Sequence, residues 1–176
     1  GIGKELKEIY LNHDYHIIGI DINDCNDERI YFFKANITIE EELLKVKEYL
    51  QKNDIKLDFI INVAGIHKMV SLVEGDFIDI KKVIDINLTG TMLVNRVFHE
   101  TLVEKGRIVI LTSEVASFEP LPFNGIYSIS KIALESYAQS LRQELNLLNQ
   151  KVITFPLDKS YNFSPFFNHL YNKYLH

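Results

Sequence analysis

At 176 residues the chain fits one domain, 1–176, and is long enough to bury a core. Its 47% hydrophobic and 24% charged residues are globular proportions, which exclude disordered and collagen-like classes as starting points. The formal net charge of −5, with no lysine cluster beyond Lys81-Lys82, argues against a nucleic-acid partner, which needs a basic stripe. Cys25 is the only cysteine, so no internal disulfide forms and a reducing compartment is the simplest home. No apolar run reaches the roughly 20 residues that span a bilayer. Gly1-Ile2-Gly3-Lys4 lacks the basic-then-apolar build of a signal peptide. The expectation is a soluble, cytoplasmic protein with no membrane partner.

Leu6, Ile9 and Tyr10 recur at helical spacing between Gly3 and about Asn12, giving a first helix with one apolar stripe. His16-Ile17-Ile18-Gly19-Ile20, ending in Asp21, reads as a buried strand, and Ile30-Tyr31-Phe32-Phe33 as a second. Leu43, Leu44, Val46, Tyr49 and Leu50 mark a helix from Ile39 to Asn53, with acidic residues in its first turn. Leu57 to Asn62 is a strand that runs into the small-residue corner Val63-Ala64-Gly65. A long helix is expected from about Ile80 to Glu104, closed by Gly106, then a buried strand over Arg107–Leu111. Tyr127 to about Asn149 is helical, and Lys151–Phe155 is one more strand. Strands apolar on both faces, alternating with amphipathic helices, imply a doubly wound parallel α/β sheet covered on both sides, Rossmann-like in class.

Three features lie where such a sheet holds its ligand, at the carboxyl ends of the strands. Gly1-Ile2-Gly3 opens a helix, where backbone N–H groups can approach a pyrophosphate, although glycines at a helix start are also common as plain turn residues. Asp21 ends a strand roughly 20 residues further on, where a carboxylate accepts both hydroxyls of an adenosine ribose and repels a 2′-phosphate. With Asn23, Asp24 and Asp27 following, it also reads as a solvated loop acid; no arginine follows it directly, which leans toward NAD over NADP. Tyr127 and Lys131 stand four apart on one helical face and can converge on one ligand. A phenol titrates near pH 10, and a neighbouring ammonium favours its ionised form. No His-Glu-x-x-His or Cys/His spacing suits a metal ion, and no phosphate loop for a nucleoside triphosphate is present.

Five segments in order resemble the short-chain dehydrogenase/reductase family. Gly1-Ile2-Gly3 resembles the end of its glycine-rich turn, and Asn62-Val63-Ala64-Gly65 its Asn-Asn-Ala-Gly corner. Asp85-Ile86-Asn87-Leu88-Thr89-Gly90 resembles the helix that carries its asparagine, Ile110-Leu111-Thr112-Ser113 the strand that ends in its serine, and Tyr127 to Lys131 its Tyr-x-x-x-Lys pair. The resemblance implies an oxidoreductase that moves hydride between NAD or NADP and a small carbonyl or alcohol substrate. Tyr127 would be the general acid/base, Lys131 would tune it and hold the nicotinamide ribose, and Ser113 would bind the substrate oxygen. Asn87 would bend its helix and hold a water linking Lys131 to solvent, or else merely satisfy backbone groups. Thr112 and Ser117 compete with Ser113 for its place. Gly1, Ile2, Gly3, Asp21, Asn36, Asn62, Ala64 and Gly65, with Tyr127 and Lys131, would hold the cofactor, Asn36 standing where an aspartate often faces adenine. Phe118, Pro120, Leu121, Pro122 and Phe123 would line an apolar substrate pocket. Pairing through the two long helices would give a homodimer or homotetramer.

The chain departs from the family pattern at both ends. It starts inside the glycine motif, so the pattern's first strand is lacking, and Pro156-Leu157-Asp158 stands where a Pro-Gly turn is usual. The C-terminal lid and last strand are also lacking. A sheet without that central strand leaves its neighbours unpaired; a truncated or incompletely recorded chain is the first explanation, and these residues by themselves are expected to be marginally stable and to bind cofactor weakly. The alternatives are an inactive, non-catalytic nucleotide-binding member of the same fold, and the longer sugar-nucleotide epimerase or dehydratase branch. Asn62 and Asn87 favour the shorter oxidoreductase branch over the last.

Overall fold

A computed structural model describes residues 1–114 and 121–157. In chain order they form α1 (Ile2–Leu11), β1 (Ile18–Asp21), β2 (Tyr31–Lys34), α2 (Glu40–Lys52), β3 (Leu57–Asn62) and α3 (Phe77–Ile84). A π-helical turn (Asp85–Gly90), α4 (Thr91–Phe98), a 3-10 turn (His99–Thr101), β4 (Leu102–Ser113), α5 (Gly125–Asn146) and β5 (Lys151–Leu157) follow. All strand pairs are parallel. β3, β4 and β5 form one three-stranded ladder and β1 and β2 a second, and among the described residues the two ladders share no strand pairing. No described helix is long and apolar enough to cross a membrane.

Strand alternation sends successive side chains to opposite faces, and here both faces are covered. Ile60, Ile108, Ile110 and Val152 point to one side, where Leu43, Val46 and Leu50 of α2, Val97 and Phe98 of α4 and Leu134, Ala138 and Leu145 of α5 close over them. Val109, Leu111 and Phe155, with half-buried Phe59, Ile61 and Ile153, point to the other side, against Leu6 and Tyr10 of α1. The three-layer α/β/α arrangement is the one that the apolar runs imply. A small third cluster of Val70, Val83 and Ile126 ties the segment after β3 to α3 and α5.

The long helix expected to reach Glu104 stops at Phe98 instead. Thr101 Oγ1 donates to the Phe98 carbonyl at 2.6 Å, and Leu102 is already extended at the start of β4. Gly106 therefore does not close a helix. It lies in an irregular stretch of β4, where the pairing jumps from Leu57↔Leu102 to Phe59↔Arg107. Lys105 adopts φ 64° there, with its N–H on the Asn149 carbonyl. A Cβ at Gly106 would stand 2.8 Å from the Val103 carbonyl oxygen, so the glycine permits the bulge.

Candidate active site

The carboxyl ends of β3 and β4 and the first turns of α5 converge on one place. Tyr127 and Lys131 are one turn apart on α5, and Lys131 Nζ stands 5.8 Å from the Tyr127 ring centroid. Lys131 is only 7% exposed, and its ammonium donates to the Leu111 carbonyl at the end of β4, 2.9 Å away. Removal from water disfavours the charged form, and burial pushes the Lys131 ammonium down to about 8. It is thus a cation near its midpoint in mildly alkaline solution.

Asn87 sits in the π-helical turn and is 1% exposed. Its Oδ1 accepts from the Ile66 N–H at 2.7 Å, and its Nδ2 donates to the Ile66 carbonyl at 2.9 Å and to Ser130 Oγ at 3.1 Å. Ser130 Oγ in turn donates to the Tyr127 carbonyl at 2.7 Å. The wider turn leaves carbonyls poorly served within the helix, and Thr89 Oγ1 and Thr91 Oγ1 donate back to the Asp85 and Asn87 carbonyls at 2.8 and 2.9 Å. A Cβ placed on Gly65 would lie 3.3 Å from Asn87 Oδ1 and 3.7 Å from Lys131 Nζ. Gly65, Asn87 and Lys131 therefore meet at one point, and Ala64 and Gly65 are exposed beside it.

Ser113 is buried as the last residue of β4, paired with Leu157 of β5. Neighbouring Thr112 Oγ1 and Ser128 Oγ are buried without a hydrogen-bond partner. Ser117, Phe118 and Pro120 lie outside the described residues, whereas Leu121, Pro122 and Phe123 are exposed before α5. The Asn62 side chain turns inward: its Nδ2 donates to Asn95 Oδ1 at 2.8 Å and reaches the Val109 carbonyl at 3.2 Å. Asn95 Nδ2 continues to Tyr137 OH at 3.3 Å. This buried chain braces β3 against α4, β4 and α5 and turns the Asn62 amide into the core.

The residues expected to hold the nucleotide lie at the start of α1, at the end of β1 and in the turn after β2. Gly1 caps α1 with no side-chain hydrogen bond, and a Cβ at Gly1 would meet nothing within 4 Å. Gly3 approaches Val63, whose Cγ1 would stand 3.8 Å from an added Cβ. The helix start thus opens beside the Val63-Ala64-Gly65 corner, with Ile2 half-buried against the same apolar face. Asp21 ends β1, exposed, with Oδ1 accepting from the Asn23 N–H at 2.8 Å and Asn23 Nδ2 at 3.0 Å. Asn36 Oδ1 accepts from the Thr38 N–H and hydroxyl at 3.0 and 2.9 Å, in a local turn leading into α2. A cavity of about 620 Å³ opens there, lined by Ile22, Phe33, Ala35, Asn36, Ile39 and Glu42 among others.

Sequence reasoning passed over His67 and Asn124. His67 follows the glycine corner by two residues, and its Nε2 lies 2.6 Å from Asn124 Oδ1, while its ring stands perpendicular to Tyr127 with centroids 4.7 Å apart. Nothing in local spacing pairs residues so far apart in sequence. The usable signal is an asparagine directly before a helix, a capping position.

The architecture is that of doubly wound α/β proteins, with a lysine–tyrosine pair at the carboxyl edge of the sheet. A family model described as short chain dehydrogenase matches residues 1–155, and the chain belongs to that family. Among similar proteins, the short-chain dehydrogenase srdE of Neurospora crassa is 29% identical over 159 residues, covering 87% of this chain and 55% of that protein. The NADPH-dependent 1-acyldihydroxyacetone phosphate reductase of Schizosaccharomyces pombe is 30% identical over 151 residues, covering 82% of this chain and 51% of that protein. The structure of 4-hydroxyisoleucine dehydrogenase complexed with NADH and succinate superposes with a TM-score of 0.80 at 25% identity, covering 89% of this chain and 74% of that one. The chain spans about half the length of the curated relatives it matches.

Proposed function

We propose that this chain is an NAD(P)-dependent oxidoreductase acting on a carbonyl/alcohol pair, with Tyr127 as general acid/base. The observation that carries the reading is the meeting of buried Lys131, Asn87 and Gly65 beside Tyr127. A lysine depressed by burial to about 8 is the kind of perturbed group that marks active sites.

The residues present fit a nicotinamide dinucleotide. Gly1, Ile2 and Gly3 offer an uncapped helix start for a pyrophosphate. Asn36 lines the cavity suited to the adenosine, and Asp21 stands exposed next to its lining residue Ile22. Ala64 and Gly65, with the brace of Asn62 behind them, leave an exposed corner where any larger residue at Gly65 would press on Asn87. The group supplies or takes the hydride when bound. In carbonyl reduction Tyr127 gives its phenolic proton to the substrate oxygen, and in alcohol oxidation it takes one back. Lys131, charged below about pH 8, favours negative charge developing on the phenol and is placed to hold a ribose hydroxyl. Ser113, at the end of β4, hydrogen-bonds the substrate oxygen as charge builds on it. Asn87 holds the Ile66 peptide and, through Ser130, the first turn of α5, so that corner and tyrosine keep register.

Among the relatives two are NADPH-dependent by name and three structures hold NADH; the Asp21 carboxylate favours NAD, because it repels a 2′-phosphate. Exposed Leu121 and Phe123 support a substrate with an apolar portion. Exposed Met92 on α4 and Ile129 and Ile132 on α5 support pairing with a second copy through these helices.

The test is fluorescence titration with NADH and NADPH beside a panel of small carbonyl substrates. Saturable NADH binding with turnover supports the reading. Binding without turnover identifies a non-catalytic nucleotide-binding module, and no binding of either cofactor defeats both.

A further inference from the structure

We infer that His67 is a positioning residue for Tyr127, held in place by Asn124, an inference that rests on the proposed role of Tyr127. An asparagine at a helix N-cap ordinarily accepts from the N–H groups of its own first turn. Asn124 occupies that position on α5 and makes no side-chain cap bond. Its side chain, in a residue only 7% exposed, is turned to His67, with Oδ1 2.6 Å from Nε2. With the amide oxygen as acceptor, Nε2 is the donor of this bond.

His67 itself is exposed, so no packing core fixes its ring. An exposed side chain samples its rotamers unless something orders it, and here the single bond to a buried partner does so. The imidazole so held stands perpendicular to the Tyr127 ring at 4.7 Å, a favourable edge-to-face geometry. Two further ties join the same strands of chain: Val70 N–H donates to the Phe123 carbonyl at 2.7 Å, and Leu72 packs on Gly125, where a Cβ would come within 2.7 Å of its Cδ1. Asn87 clamps the peptide of Ile66, the residue before His67. The segment from Gly65 to Leu72 is thus pinned to the α5 start at successive points. His67 is the point at which a side chain of that segment touches the tyrosine ring. Its charged surroundings are Lys131 on α5 and the Lys68–Asp79 ion pair next to it.

His67→Phe keeps a ring against Tyr127 and removes the donor to Asn124. His67→Gln keeps a donor at the reach of Nε2. Asn124→Leu removes the acceptor. With NADH saturating, kcat is expected to fall about tenfold or more in His67→Phe and Asn124→Leu, because a small misplacement of a reacting group is costly. KM for NADH should stay within about twofold, the double variant should be no worse than either single one, and His67→Gln should recover part of kcat. Unchanged kcat in His67→Phe, or losses that multiply in the double variant, would overturn the inference. The Tyr127 ring resonances, assigned by their loss in Tyr127→Phe, are followed without substrate. They should shift alike in His67→Phe and Asn124→Leu. Resonances unmoved by both variants overturn the positioning role even if the chain turns over no carbonyl, an outcome that would by itself defeat only the enzyme reading.

Discussion

The two ladders of this fold are built differently and do different work. β3, β4 and β5 form one parallel ladder, interrupted by the bulge at Gly106 and covered on both faces, with Asn87, Ser113, Tyr127 and Lys131 at or beside their carboxyl ends. β1 and β2 are four residues each, half-buried at best, and carry Asp21 and lead into Asn36. With no strand pairing between the ladders among the described residues, side chains make the join. Tyr10 of α1, Tyr15 before β1 and Phe59 of β3 stack with centroids 5.3 to 6.4 Å apart, and Ile18, Ile20 and Phe33 lean on the core of the larger half. Lys7 and Glu8 of α1 pair with Asp27 and Arg29 between β1 and β2. The larger half carries the residues proposed for the chemistry on a sheet covered on both faces. The smaller half carries those proposed for the nucleotide on a frame held by packing and charge.

The sharpest way to break that division is at Tyr127. Tyr127→Phe should lower kcat about 10²- to 10⁴-fold, the usual contribution of a general acid/base, while NADH binding stays close to that of the unaltered chain in a fluorescence titration. Next comes stability. Leu134, fully buried between α5 and the larger sheet, should cost about 2–5 kcal/mol when cut to alanine. The same truncation at half-buried Ile20 should cost about 1–2 kcal/mol. Urea unfolding measures both, and equal losses would erase the distinction between the halves. Asp21→Ala should weaken NADH about tenfold or more, the scale of hydrogen bonds to a charged group, and leave NADPH unweakened, as paired titrations would read.

The smallest effects are with pH. Arg29 and Lys7 hold the Asp27 carboxyl well below the usual carboxylate range, and the same two cations lower Glu8. At acid pH the unfolded chain then binds protons that the folded chain refuses, so this stability is present above the ordinary carboxylate range and lost as pH falls through it. Arg29→Met should blunt the fall in melting temperature between pH 5 and pH 3, by a modest margin because the cluster is partly solvated. Lys131 works at the other end. Between about 8 and its ordinary value near 10.5, the unfolded chain holds a proton that the folded chain has released, so stability should rise with pH across that window. Lys131→Met should flatten that rise.

Much of this was legible in the sequence, because period-2 and period-3.6 apolar spacing reports burial directly. The five strands and the helices α1, α2 and α5 stand within a few residues of their expected places, and the described strands fall into two ladders rather than one sheet. The helix end at Phe98 was not legible, since Leu102 and Val103 continue an apolar spacing that either structure could use. At the observed end the Thr101 hydroxyl donates to the Phe98 carbonyl and Leu102 is already extended. Motif spacing named Gly65, Asn87, Tyr127 and Lys131, and the structure places them beside one another. The inward turn of Asn62 and the His67–Asn124 contact were hidden, because each depends on a partner tens of residues away that tertiary packing alone supplies.

The central claim is that Tyr127 on the larger half assists hydride transfer with a nicotinamide bound across both halves. NADH deuterated at C4 of the nicotinamide, incubated with the carbonyl panel, tests it in one mass measurement of the alcohol formed. The account predicts deuterium on the carbinol carbon with the unaltered chain and only background label with Tyr127→Phe. Equal label in both, or none above a protein-free control in either, would contradict it.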